Sequence, residues 1–115
     1  MLLGDALHTA HFSIGSGTKL ALEDAIALAN CCTAAPNIAQ ALTDFEQTRR
    51  PVIEDYQAAA QDSMTWFENA RQYMQLKPLE LAYSLMTRSG RVDHSEIRKR
   101  DPAFIQAWEA ASAKT

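Results

Sequence analysis

Two imidazoles three residues apart, His8 and His11, and the run Gly15-Ser16-Gly17 are the features of this 115-residue chain whose types and spacing could do chemistry. On one face of a helix, the histidine spacing suits a metal ion. But the segment holds no cysteine, Asp5 is its only nearby carboxylate, and a tetrahedral site needs more ligands than that. The glycines around it also argue against a helix. We therefore expect no metal site, and a structural role for both histidines. The glycine run is more informative. Glycine lets a backbone approach a ligand closely. A helix starting behind it presents unpaired N–H groups and a positive dipole end, which together hold an anion or a developing negative charge. Glycine at a helix entry is also common turn chemistry. The pattern is not a dinucleotide fingerprint, because the full Gly-x-Gly-x-x-Gly and a following βαβ unit are absent. Neither a phosphate-loop motif nor a nucleophile elbow occurs.

These residues must be positioned by helices. The chain has twenty alanines and eleven leucines but only two valines, Val52 and Val92. Strong helix formers with few β-branched residues predict an all-α chain. The exception is the opening Met1-Leu2-Leu3-Gly4-Asp5, which reads either as the remnant of a short buried strand ending in a turn or, equally, as a frayed amino-terminal tail. Three residues cannot satisfy a strand's hydrogen bonds alone, so a pairing partner is expected elsewhere. After Gly17, apolar residues from Leu20 to Ala29 cover most of a helix circumference, the pattern of a buried helix. Pro36-Asn37 divides it from the next element, with Asn37 as N-cap. From Ile38 through Phe45, Arg49, Val52, Tyr56, Ala60, Met64 and Phe67 to Met74 runs one stripe at helical spacing. Pro51 lies inside it and predicts a kink or break near Arg50. Lys77-Pro78 opens a helix over 79–87, stopped by Ser89-Gly90. Asp93 with Glu96, then Asp101-Pro102, mark two further helix starts.

Composition excludes several classes. With 47% hydrophobic residues and a net charge of −3, the chain is neither disordered nor a polycation. No basic block suggests nucleic acid, and no apolar run reaches the ~20 residues that span a bilayer. The adjacent Cys31 and Cys32 form no disulfide framework, which suggests a reducing, cytoplasmic setting. Residues 77–100 are net basic and residues 1–76 net acidic. Arg88, Arg91, Arg98, Lys99 and Arg100 could face an anionic ligand, though a solvated face is the plainer reading.

Taken as a string, Leu2-Leu3-Gly4-Asp5-Ala6-Leu7-His8, then Gly15-Ser16-Gly17-Thr18, then Leu22-Glu23-Asp24-Ala25-Ile26-Ala27-Leu28-Ala29 resembles the second flavin motif of one family. It is that of the FAD-dependent aromatic hydroxylases related to p-hydroxybenzoate hydroxylase. The segment from His8 to Leu20, together with Phe45-Glu46, Arg49-Arg50-Pro51, Trp66-Phe67-Glu68 and Thr87-Arg88-Ser89, is similar to the branch acting on aromatic CoA thioesters, the salicylyl-CoA 5-hydroxylase and 2-aminobenzoyl-CoA monooxygenase group. Many relatives carry proline at the position of Phe12 and alanine at that of Leu7.

The resemblance implies that the chain is a single C-terminal fragment of an α/β FAD-binding monooxygenase. Residues 1–29 would contact the flavin and residues 37–113 form a helical buttress. It implies cofactor contacts from Gly4, Asp5, Gly17, Thr18 and Lys19. Asp5 would accept from the ribityl chain, and the amides of residues 17–19 would face the flavin N1–C2=O edge. FAD would be the cofactor, NAD(P)H the co-substrate and an aromatic molecule, as its CoA thioester, the substrate. His8 and His11 would lie near the flavin, and no catalytic residue is assigned. The partner would be the family's N-terminal FAD domain, whose dinucleotide unit and substrate sheet have no counterpart in these residues. Isolated, the fragment is expected to be inactive and to self-associate. The alternatives are a standalone helical interaction protein of the same descent, or a fragment of a hydroxylase acting on a non-CoA aromatic.

Overall fold

The computed structural model describes residues 1–114 and is built of helices. Two 3₁₀ turns, Gly4–Ala6 and Phe12–Ile14, precede α1 (Gly17–Ala34), α2 (Ile38–Glu68), α3 (Ala70–Tyr73), α4 (Pro78–Thr87), α5 (His94–Arg100) and α6 (Pro102–Ala113). The all-α expectation holds. The strand remnant does not appear: among the described residues there is no strand, and residues 4–6 coil into a 3₁₀ turn. Leu3 keeps an extended backbone at φ −147°, ψ 148°, but an extended segment without a neighbour forms no ladder. No helix among the described residues is long and apolar enough to cross a membrane.

Helix ends follow the capping residues. The Asn37 side chain accepts from Gln40 N–H at 2.9 Å, Asp93 from Glu96 N–H at 2.8 Å, and Asp101 from Phe104 N–H at 3.0 Å. Each satisfies an amide that the helix itself cannot, worth roughly 1 kcal/mol. Pro78 and Pro102 sit in the first turns of α4 and α6, where a missing N–H costs nothing. Gly90, at φ 73°, supplies the left-handed residue after α4. Pro51 does not end α2, which runs through it for 31 residues. The lost hydrogen bond is outweighed by burial on both sides, at Phe45 and Ile53 and then at Ala59 and Ala60.

The chain divides into two compact units, 1–61 and 62–115. In the first, α1 and the opening half of α2 bury Leu20, Ala41, Phe45, Ile53, Ala59 and Ala60. In the second the core is Trp66, Ile97 and Ile105. There Trp66 stacks on Tyr73 with centroids 4.8 Å apart and donates its indole N–H to Ser84 Oγ at 2.9 Å. Tyr83 stacks on Trp108 at 4.1 Å. Buried Ser63 accepts from Arg88 Nε at 2.9 Å, and the guanidinium lies over the Phe67 ring.

Candidate functional site

The first unit brings the glycine run and the Gly4-Asp5 turn onto one helix. Gly4 adopts φ 60° and is buried, and a Cβ built there would stand 3.2 Å from Ala21 Cβ of α1. Only glycine both reaches that φ freely and lets the turn seat so closely. Leu7 and His8 N–H both donate to Gly4 O at 2.9 Å, closing the turn. Asp5, on the same turn, is exposed. Ala21 lies four residues, about one turn, beyond Gly17, so the Gly4 turn rests one turn along from the start of α1.

That start is open. Ser16 is the N-cap residue, yet its side chain caps nothing and donates instead to Ile14 O at 3.4 Å. The position a Gly17 Cβ would take has no atom within 4 Å. The amides of Gly17, Thr18 and Lys19 precede the first amide, Leu20 N–H, that bonds back to Ser16 O. Thr18 and Lys19 are exposed. The Lys19 ammonium turns along the helix, 3.4 Å from Glu23 and over the Tyr56 ring at 5.8 Å. The Glu23 charge, then Tyr56, hold it above its usual range.

Beneath the turn lies a buried cluster of His8, Asp24 and Arg49, in which His8 has the structural role expected of it. Asp24, wholly buried, accepts from His8 Nε2 at 2.6 Å through Oδ2, and from Arg49 Nε at 2.8 Å through Oδ1. Arg49 also reaches Glu23 at 3.4 Å. Burial pushes the Asp24 carboxyl up, but the hydrogen bonds from His8 and Arg49, reinforced by their charges, hold it below its ordinary value. The signal in the sequence is two charges set among apolar neighbours: Asp24, followed by Ala25 and Ile26 in α1, and Arg49, inside the apolar stripe of α2. Each explains the other. His11 contacts Ser13 Oγ at 2.6 Å and stacks on the exposed Phe12 ring. Beside His8 and Asp24, a cavity of about 420 Å³ is walled by Leu7, Phe45, Arg49 and Ile53 among others.

The basic residues of the second unit are largely engaged with one another's acidic neighbours. Arg98 pairs with Glu109, Arg100 with Glu96 at 2.9 Å, and Lys99 with Glu96 at 3.9 Å. This favours the solvated-face reading over a phosphate cradle.

The uncapped start of α1 and the turn that carries the exposed Asp5 thus share one helix. Comparison with known proteins gives the class. No protein-family model matches the chain, and no solved structure matches it. Curated proteins do. Salicyloyl-CoA 5-hydroxylase of a Streptomyces species is 42% identical over 108 residues, covering 91% of this chain and 20% of that enzyme. The 3-hydroxy-4-methyl-anthranilyl-(aryl-carrier protein) 5-monooxygenase of Streptosporangium sibiricum is 45% identical over 98 residues, covering 84% of this chain and 27% of the enzyme. Protodeoxyviolaceinate monooxygenase of Chromobacterium violaceum is 35% identical over 88 residues, 76% of this chain and 24% of the enzyme. The chain is thus a homologue of aromatic monooxygenases. It corresponds to a segment of them, between a fifth and about a quarter of their length.

Proposed function

We propose that the chain is the C-terminal, flavin-contacting part of an FAD- and NAD(P)H-dependent monooxygenase that hydroxylates an aromatic ring carried as a thioester. The single observation behind this reading is its identity with salicyloyl-CoA 5-hydroxylase over nearly its whole length. The relative acting on an aryl-carrier-protein conjugate supports a thioester rather than a free acid.

The residues present fit FAD. The uncapped start of α1 and the empty space at Gly17 leave room for a ring edge at the amides. The exposed carboxylate of Asp5, on a turn seated against the same helix, suits sugar-like hydroxyls. When bound, FAD would take a hydride from NAD(P)H and activate dioxygen, so that one oxygen atom enters the ring. This chain's part is to bind and tune. The Gly17, Thr18 and Lys19 amides would hold the N1–C2=O edge, and the dipole of the 18-residue α1 would favour negative charge there by about 1–2 kcal/mol. Asp5 would fix the ribityl chain. Half of the cofactor's contacts would come from the N-terminal FAD domain, so the isolated chain would neither hold FAD tightly nor turn over.

The test is a chimera in which this chain replaces its homologous segment in the Streptomyces salicyloyl-CoA 5-hydroxylase. NAD(P)H oxidation stimulated by salicyloyl-CoA is the result expected. Because the chimera's substrate sheet is the host's, the substrate class is tested on the natural full-length protein. There, NAD(P)H oxidation stimulated by free aromatic acids and not by their CoA esters would favour the second reading, a non-CoA aromatic substrate, for which the protodeoxyviolaceinate relative speaks. No stimulation by either would contradict both.

A further inference from the structure

Asp24 is given no flavin contact in the reading above, yet it is the most completely enclosed charged group among the described residues. Its two oxygens are used separately. Oδ2 takes His8, which follows directly on the Gly4–Leu7 turn, and Oδ1 takes Arg49 of α2. Three segments therefore meet at one side chain: the turn, α1 and α2.

The turn is pinned at both ends. At its start Gly4 presses on Ala21, and just past its end His8 is tied to Asp24. Ala21 and Asp24 are three apart and so share a face of α1. Asp5 lies between the two pins, facing solvent. Just beyond, Gln57 Nε2 donates to Thr9 O at 3.1 Å, a third tie from α2. A carboxylate can only accept here, so His8 donates from Nε2–H and Arg49 from Nε–H. Apolar side chains could fill this space without the cost of desolvating ions. What they could not supply is direction: the two fixed acceptor oxygens set the orientation of the imidazole and of the guanidinium.

We propose that Asp24 is a positioning residue: clasping His8 and held in turn by Arg49, it keeps the Gly4–Leu7 turn, and Asp5 upon it, in register with the start of α1. The meaning of that register for a cofactor rests on the flavin reading above. The clasp itself does not.

The experiment is NMR on the ¹⁵N-labelled 115-residue chain without flavin. The wild type should show a slowly exchanging His8 Nε2–H resonance downfield of the amides, and slow exchange at Leu7 and His8 N–H. Asp24→Asn presents an amide donor to at least one of two donors. It should lose the ring N–H resonance and exchange Leu7 and His8 faster by on the order of tenfold or more, since hydrogen bonds to charged groups are the strong ones. Ile97 and Ile105 amides, in the other unit, should be unmoved. Should Asp24→Asn fail to fold, the pair His8→Gln and His8→Ala still decides. Glutamine carries an N–H donor close to the place of Nε2 and should retain slow Leu7 exchange, whereas alanine should lose it. Wild-type exchange in His8→Ala, or equal loss in both variants, would overturn the proposal. A chimera that binds no flavin would contradict the functional reading and leave these exchange rates untouched.

Discussion

His8 Nε2 lies 2.6 Å from Asp24 Oδ2 across sixteen residues of sequence, and both side chains are almost wholly withdrawn from water. Arg49 holds the other oxygen, so deleting any one of the three side chains leaves a buried polar partner unpaired in the first unit.

Arg49→Met should therefore be strongly destabilising. It removes the cation from a buried carboxylate while keeping most of the side-chain volume. Breaking a buried pair by deleting one partner costs about 3–5 kcal/mol. Urea unfolding followed by circular dichroism should show that loss. The exposed Arg50, changed to Met, should leave the unfolding midpoint nearly unchanged although it contacts Glu46 and Glu54, because exposed ion pairs are screened by water and salt.

Acid should act through the same carboxylate. Asp24 is held below its ordinary value of 3.8 in the folded chain. A depressed folded value means that its contribution is fully present above 3.8 and is lost as pH falls through the lower folded value. Thermal midpoints measured from neutral pH downward should stay level to about 3.8 and then drop as pH falls on toward the lower folded value. Asp24→Asn should begin lower and show a shallower acid drop. A parallel drop in both proteins would assign the acid sensitivity elsewhere.

Gly4→Ala should loosen the turn. The backbone there sits at φ 60°, and the new methyl would meet Ala21 Cβ at 3.2 Å. The left-handed conformation alone costs roughly 1–2 kcal/mol for an L-residue, and the close approach adds to it. Gly15→Ala is the control. It carries a similar φ of 70° with nothing within 4 Å, so it should pay the conformational cost only. Equal losses in the two variants would show that the seat on α1 is unimportant.

The isolated chain should self-associate. Leu2, Leu7, Leu22, Ile26 and Ile38 are each more than half exposed in the first unit, the kind of surface that seeks cover. Light scattering after size-exclusion chromatography should give a mass above 12.7 kDa that falls on dilution. A monomer at every concentration would contradict the expectation.

Helix identity and helix ends were legible because they depend on neighbours in sequence: Asn37, Asp93 and Asp101 cap amides three residues ahead, and Pro78 and Gly90 act locally. What eluded the sequence depends on partners far along the chain. Whether Pro51 breaks α2 turns on burial at Phe45 and Ile53. The opening apolar residues form no strand because none of the described residues pairs with them as a neighbouring strand. The His8–Asp24–Arg49 cluster joins residues up to forty-one positions apart, and no periodicity reports a contact of that kind. Gly4 is a glycine whose backbone needs it, at φ 60° and close against Ala21, whereas Gly17 sits in open space and the open amino end of α1 depends on how Ser16 turns.

The most direct measurement is the visible absorption spectrum of the purified chimera, with this chain in place of its homologous segment of salicyloyl-CoA 5-hydroxylase. One equivalent of bound FAD, lost on changing Gly17 to a bulky residue and weakened by Asp5→Ala, is the predicted result. A folded chimera that is colourless, or that holds FAD equally well with both substitutions, would contradict the account.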